Sequence, residues 1–237
     1  MKRVLMLLVI LLISVSAFAM DSNTWYVGVS GDFLFNTLNS NTGYRINTTL
    51  SPGHSFSVSI PVMYQINNCF GIEMGIKYAQ KNYGWTHKRD PYTIDRVEWE
   101  NITNHFLEFP LSLNFAVGND TIKSVWGLGG YLGVWLASHK QGQIINNAET
   151  VNEEAFKYIN YDENIKFSST SDNRFEYGLL FRGGIEANVK PVVIFLRGSY
   201  YLGLSDLTKD YQTNKVSRYN NSLSCELGVV VGFGGNK

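Results

Sequence analysis

The sequence predicts an all-β chain folded as an eight-stranded antiparallel transmembrane up-and-down β-barrel. Three observations predict it. Apolar and polar residues alternate with a period of two in eight separate segments, each as long as the about 9–11 residues that a tilted strand needs to cross a bilayer. The connections between the segments alternate between tight turns and long polar loops, the pattern of tight periplasmic turns and long extracellular loops. Charges inside the segments keep to one of the two faces that the alternation creates.

Taken in order, the first segment is "WYVGVSGDFLF", in which Trp25, Val27, Val29, Phe33 and Phe35 oppose Tyr26, Gly28, Ser30 and Asp32. The second, "HSFSVSIPVMYQI", sets Phe56, Val58, Ile60, Val62, Tyr64 and Ile66 against Ser55, Ser57, Ser59 and Gln65. "FGIEMGIKY" sets Phe70, Ile72, Met74, Ile76 and Tyr78 against Gly71, Glu73, Gly75 and Lys77. "FLEFPLSLNF" places Leu107, Phe109, Leu111, Leu113 and Phe115 between Glu108, Pro110, Ser112 and Asn114. The fifth and sixth segments, "SVWGLGGYLGVWLAS" and "RFEYGLLFRGGIEANV", carry glycines on their polar side, together with Glu176, Arg182 and Glu186. The seventh, "VVIFLRGSYYLGL", and the eighth, "NNSLSCELGVVVGF", bring Arg197 and Glu226 to that side. Pro61 and Pro110 lie inside segments, where a missing N–H is expected to mark bulges.

Alternation alone allows two opposite assignments, because a soluble barrel of the lipocalin type turns its apolar face inward. The glycines decide between them. On a solvent-facing surface they would only weaken the strands, whereas the crowded lumen of an eight-stranded barrel needs small residues between large ones. The charges point the same way, since a lipid-facing charge near the midplane costs about 2–4 kcal/mol. The polar face is therefore read as interior. Asp32, Glu73, Lys77, Glu108, Arg182, Glu186, Arg197 and Glu226 are expected to form an interior charge network in which acids and bases pair. Loops at 36–53, 83–103, 139–172 and 206–218 are expected outside the cell, and "NN", "GNDT" and "KP" are the tight turns.

The start of the chain carries Lys2 and Arg3, an apolar run from Val4 to Ile13, and Ala17 and Ala19 framing Phe18. This is the pattern of a secretory signal peptide over residues 1–19, cleaved after Ala19, with residues 20–237 as a single outer-membrane β-barrel domain. Losing Lys2 and Arg3 leaves 18 basic against 20 acidic residues. That balance gives no sign of a nucleic-acid partner. Cys69 falls in a turn and Cys225 on an apolar strand face, so they are read as two unpaired small hydrophobes.

"FLEFPLSLNF", "WGLGGYLGVWLAS", "FEYGLLFRGGIEANV" and "FLRGSYYLGLSDL" together resemble the outer-membrane β-barrel family that includes PorT-like proteins. The stretch Leu107 to Leu111 and the stretch Tyr200 to Leu207 carry the most specific likeness. The resemblance implies an integral barrel, commonly of eight strands, and brings no catalytic residue to transfer. The function expected is that of a small integral barrel with a side-chain-filled lumen and a structural, adhesive or secretion-associated role.

The expected partners are outer-membrane lipid, the barrel-insertion machinery and, through the long loops, an extracellular or secretion-system protein. A monomer without cofactor is expected. The alternative is an outer-membrane hydrolase of lipid or peptide built on His54, His87, His105 and His139, all of which fall at the extracellular rim. A histidine there could serve as a base or bind a metal. A histidine is also at home where a strand leaves the membrane, and no two of these share an i, i+2 spacing. A passive pore is the weakest option, because eight strands enclose a space that side chains just fill.

Overall fold

The structure, a computed structural model, describes residues 23–40, 47–88, 97–146, 157–189, 191–209 and 216–233. The leader expected over residues 1–19 lies outside the described residues. Among the described residues nine strands follow one another: β1 (Thr24–Ser40), β2 (Thr48–Gln65), β3 (Phe70–Lys88), β4 (Val97–Gly118), β5 (Ile122–Asn146), β6 (Lys157–Asn164), β7 (Phe175–Val189), β8 (Val192–Gly203) and β9 (Arg218–Phe233). Pairing runs β4-β3-β2-β1-β9-β8-β7-β5, and a further β4–β5 ladder closes these eight strands into a ring. Every ladder is antiparallel, so the ring is the up-and-down barrel that the alternation predicts.

The faces separate cleanly. Along β1, Trp25, Val29, Phe33 and Phe35 are exposed while Tyr26, Ser30, Asp32, Leu34 and Asn36 are buried. Leu111 and Leu113 of β4 are exposed while Glu108, Ser112 and Asn114 are buried. Aromatic residues cluster near both ends of the exposed band. At the end with the tight turns, Trp25 packs on Tyr64 at 4.7 Å and Phe70 on Phe115 at 5.3 Å between ring centroids. At the other end Phe35 meets His54 at 4.8 Å and Tyr78 meets His105 at 5.9 Å. The ten-residue rise from Trp25 to Phe35 spans about 34 Å of strand and about 26 Å of height at a tilt near 40°, which matches an apolar band about 25 Å tall.

Three details differ from the sequence reading. The outer connections are shorter than expected, because the strands continue past the apolar band: β3 reaches Lys88, β4 starts at Val97, and β5 runs to Asn146. Backbone pairing needs no apolar side chain, so a ladder can continue above the band while the residues turn polar. Within the expected loop 139–172, β6 pairs with the outer half of β5 and adds a strand outside the ring.

The prolines make no bulges. Val27 opposes Val62 and Ser30 opposes Ser59, so the register is the same on both sides of Pro61. Met74 opposes Leu111 and Lys77 opposes Glu108, so it is also unchanged across Pro110. Each proline interrupts one ladder for lack of an N–H and leaves the strand's course intact. The shifts in register occur instead between Pro52 and Ser57 and between His105 and Phe106, both toward the outer end. At the first of these a Cβ on Gly53 would lie 2.2 Å from the Asn82 carbonyl oxygen, so only glycine allows that approach.

Candidate functional site

The alternation delivers the interior charges in layers. Asp32, Glu73, Lys77, Glu108, Arg182, Glu186, Arg197 and Glu226 are all buried on the inner face. Glu73 of β3 is a hub: it pairs with Arg182 of β7, accepts from Arg197 Nη1 of β8 at 2.6 Å and from Asn114 Nδ2 of β4 at 3.1 Å. Beside it, Lys77 pairs with Asp32 and donates to the Tyr201 hydroxyl at 3.1 Å, while Ser57 Oγ donates to Asp32 Oδ2 at 2.7 Å. Glu226 faces Arg197 across the β8–β9 ladder and accepts from Ser30 Oγ at 2.7 Å. Glu186 faces Lys123 across the β5–β7 ladder.

A second hub centres on Lys81, which was not among the residues read from the sequence, and joins Glu108 and Glu176, which were. Lys81 Nζ lies 2.7 Å from Glu108 and 2.7 Å from Glu176, and Tyr131 donates to Glu176 Oε1 at 2.8 Å. Lys81 and Lys123 fall just beyond the ends of the segments taken as strands. The spacing Glu73, Lys77, Lys81 was the signal for the first of them, because steps of four keep to one face of a strand. Glycines leave the room these long side chains need. A Cβ on Gly127 would lie 2.6 Å from Arg182 Cγ, and one on Gly184 would lie 2.7 Å from Arg197 Cγ.

Apolar layers stand at both ends of this charged middle. Tyr26, Met63, Val193, Phe195 and Val230 pack together at the end of the tight turns. At the other end Phe106 stacks on Trp135 at 5.9 Å, Phe167 meets Trp135 edge-on at 4.8 Å, and Leu207 is 1% exposed among them. Phe167 and Leu207 come from the connections after β6 and β8. The described parts of these connections are tied by a bridge between Asp172 and Thr208 and close over Phe106 and Trp135 as a lid.

Above that lid the extended strands form a cup of about 470 Å³. Along each of four strands an apolar or aromatic residue nearer the membrane (Leu38, Leu50, Tyr83, Ile102) is followed outward by Ser40, Thr48, Trp85 or Glu100. The register shift before Ser57 turns Leu50 and Thr48 inward, since Leu50 opposes Trp85. Glu100 is fixed from two sides, accepting from Trp85 Nε1 at 2.8 Å and from the Tyr161 hydroxyl at 2.7 Å. Burial and that carboxylate together push the Tyr161 phenol above its ordinary range. At the floor, Arg218 donates to Thr208 Oγ1 at 2.9 Å and to Asp172 Oδ1 at 3.2 Å. A larger hollow of about 760 Å³ lies on the outward apolar face among Ile60, Met74, Phe109, Leu111 and Leu132.

The four histidines do not converge. His54 packs on Phe33 and Phe35, His105 Nδ1 lies 2.6 Å from the Tyr78 hydroxyl, and His139 lies 2.9 Å from Asp162 Oδ1. These three follow the outward alternation, whereas His87, 2.9 Å from Thr48 Oγ1, shares the inward alternation of Trp85. Among the described residues no group of three or more His, Cys, Asp or Glu is placed to hold a metal. Cys69 and Cys225 are free, the first in a tight turn and the second exposed on the lipid face.

Residues 17–209 match the family described as outer membrane protein beta-barrel domain. No curated protein matches the chain. Among solved structures, the outer membrane protein OprG from Pseudomonas aeruginosa is 10% identical with a TM-score of 0.51, over 91% of this chain and 98% of that one. The attachment invasion locus protein Ail of Yersinia pestis, in complex with the heparin analogue sucrose octasulfate, is 13% identical with a TM-score of 0.39, over 88% and 99%. The outer membrane protease OmpT from Escherichia coli is 10% identical with a TM-score of 0.39, over 92% and 100%. The likeness to OprG supports the fold; the two lower scores add nothing to it.

Proposed function

This chain belongs to the outer membrane protein beta-barrel domain family, as an integral β-barrel of the bacterial outer membrane, and from that premise we propose that it is a non-conducting, non-enzymatic monomer that holds a docking surface outside the cell. The observation that carries this reading is the excess length of the strands. β4 has 22 residues and β5 has 25, where about 9–11 suffice to cross the bilayer. Their outer halves, with β6 added, form a sheet that lends the barrel wall no membrane contact. On that sheet Ile144, Tyr158 and Ile159 are exposed. A rigid wall below and exposed apolar side chains above suit contact with a partner protein.

The partner proposed is an extracellular or secretion-system protein, and the likeness of four stretches to PorT-like proteins favours the second. The role is thus adhesive or secretion-associated and needs no cofactor. The hydrolase alternative has no support from the histidines, each of which meets a different neighbour. The test replaces residues 147–164 by an Asn-Gly turn in cells that lack the native gene. The altered barrel should still show heat-modifiable gel mobility, yet it should leave the deletion phenotype in adherence or protein secretion uncorrected. Full correction by the hairpin-less barrel would overturn the reading.

A further inference from the structure

We propose that the cup at the outer mouth is a binding site for an uncharged oligosaccharide. The proposal rests on the reading that this end of the barrel works outside the cell, but its chemistry comes from the cup alone. The volume of about 470 Å³ lies within the about 300–1,000 Å³ of small-molecule sites. Its lining is amphipathic in an ordered way. Leu38, Leu50, Tyr83 and Ile102 form a deeper apolar tier, with hydroxyls of Ser40 and Thr48, the Trp85 ring and the Glu100 carboxylate further out along the same strands. A sugar ring has matching surfaces, with C–H groups that pack on apolar and aromatic side chains and hydroxyls that bond to carboxylates and hydroxyls around the edge.

The cup is also built before any ligand arrives. Glu100 holds the Trp85 indole by its Nε1–H and is itself held by Tyr161. A Cβ on Gly142 would lie 2.5 Å from the Tyr161 hydroxyl, so glycine there is what admits the tyrosine. At the floor, Asp172 accepts from the Ser168 N–H at 2.8 Å and Thr208 Oγ1 donates to the Val216 carbonyl at 2.8 Å, which fixes the groups around Arg218. Polar groups already fixed in place leave little ordering entropy to be lost on binding.

Charge selects the class of sugar. Among the described residues of the lining, Glu100 and Asp172 stand against the guanidinium of Arg218, and that guanidinium is already bonded to Asp172 and Thr208. A sulfated or otherwise polyanionic glycan would meet a net negative cup and be turned away. An acyl chain would add no polar group to this outer tier, so the Ser40 hydroxyl and the remaining acceptor sites of Glu100 would lose water and gain no partner.

The test is calorimetric titration of the detergent-solubilised, folded barrel with maltotriose, cellotriose and triacetylchitotriose, and in parallel with sucrose octasulfate and trilysine. At least one uncharged trisaccharide should bind and sucrose octasulfate should not. Trp85→Leu, which removes the aromatic face, and Ser171→Trp, which fills the cup from the floor, should each weaken that binding by about tenfold or more, with heat-modifiable mobility kept as the control for folding. Absence of binding by all three sugars overturns the proposal, as does binding that neither variant alters or binding of sucrose octasulfate or trilysine alone. Any of these results would leave the docking reading standing, because that reading fails only if the hairpin-less barrel is fully active in cells.

Discussion

Removing the Glu73 carboxylate is expected to unfold the barrel more readily than any surface change. Glu73→Leu leaves Arg182 and Arg197 without the acceptor they share and frees the Asn114 amide, and Arg197 is only 1% exposed. Breaking a buried ion pair by removing one partner costs about 3–5 kcal/mol. Two cations lose their partner here, and the nearby Glu226 and Glu186 offset part of the loss, so the upper part of that range is expected. The measurement is the midpoint of urea unfolding in detergent micelles, with Lys166→Leu, at an exposed position, as a control expected within about 0.5 kcal/mol of the native chain. Adding Arg197→Leu to Glu73→Leu should recover stability, because one of the stranded guanidiniums is then gone. A Glu73→Leu midpoint equal to the control, or a double variant whose losses simply add, would refute the idea that this interior is dry and paired.

Two further outcomes are expected. Leu111→Arg, on the exposed face of β4, should lower stability in lipid by about 2–4 kcal/mol, while Leu204→Arg, just past the outer end of β8, should change it by less than about 0.5 kcal/mol; equal effects on refolding into vesicles would contradict the face assignment. An impermeant maleimide should leave Cys69 unlabelled in intact cells and label it once the outer membrane is permeabilised, because its turn lies at the end of the tight connections; labelling in intact cells would invert the barrel.

How far the sequence could be read follows from what each feature depends on. The period of two in "FLEFPLSLNF" was enough to separate Leu111 from Ser112, because the two faces of a strand meet different media and each selects its own side chains. The glycine-bearing polar side pointed to a crowded interior for the same local reason, and the clashes a Cβ would make at Gly127 and Gly184 are its structural counterpart. Lys81 and Lys123 escaped because strand ends were placed where apolar residues stop, whereas ladders end where backbone pairing stops. The same limit hid β6 and the outer halves of β4 and β5.

Phe167 and Leu207 could not be assigned at all. They sit in connections with no period, and their place over Trp135 depends on two segments far apart in the chain meeting at the bridge of Asp172 and Thr208. The cup has the same origin. Leu50 of β2 and Arg218 of β9 lie far apart along the chain and share a cavity only because both strands flank β1 once the ring closes and the register shift turns β2. Pro61 and Pro110 suggested bulges because proline removes a ladder bond, yet a single unmade bond does not oblige the strand to gain a residue.

The central claim is that the charged face is interior and that, with the apolar layers around Phe195 and Trp135, it fills the lumen. Single-channel recording of the refolded barrel in a planar lipid bilayer tests this most directly. The account predicts insertion without stepwise conductance, and it predicts that Phe195→Ala and Trp135→Ala together, which thin both apolar layers, are needed before steps appear. A large, stable conductance from the native chain would contradict it.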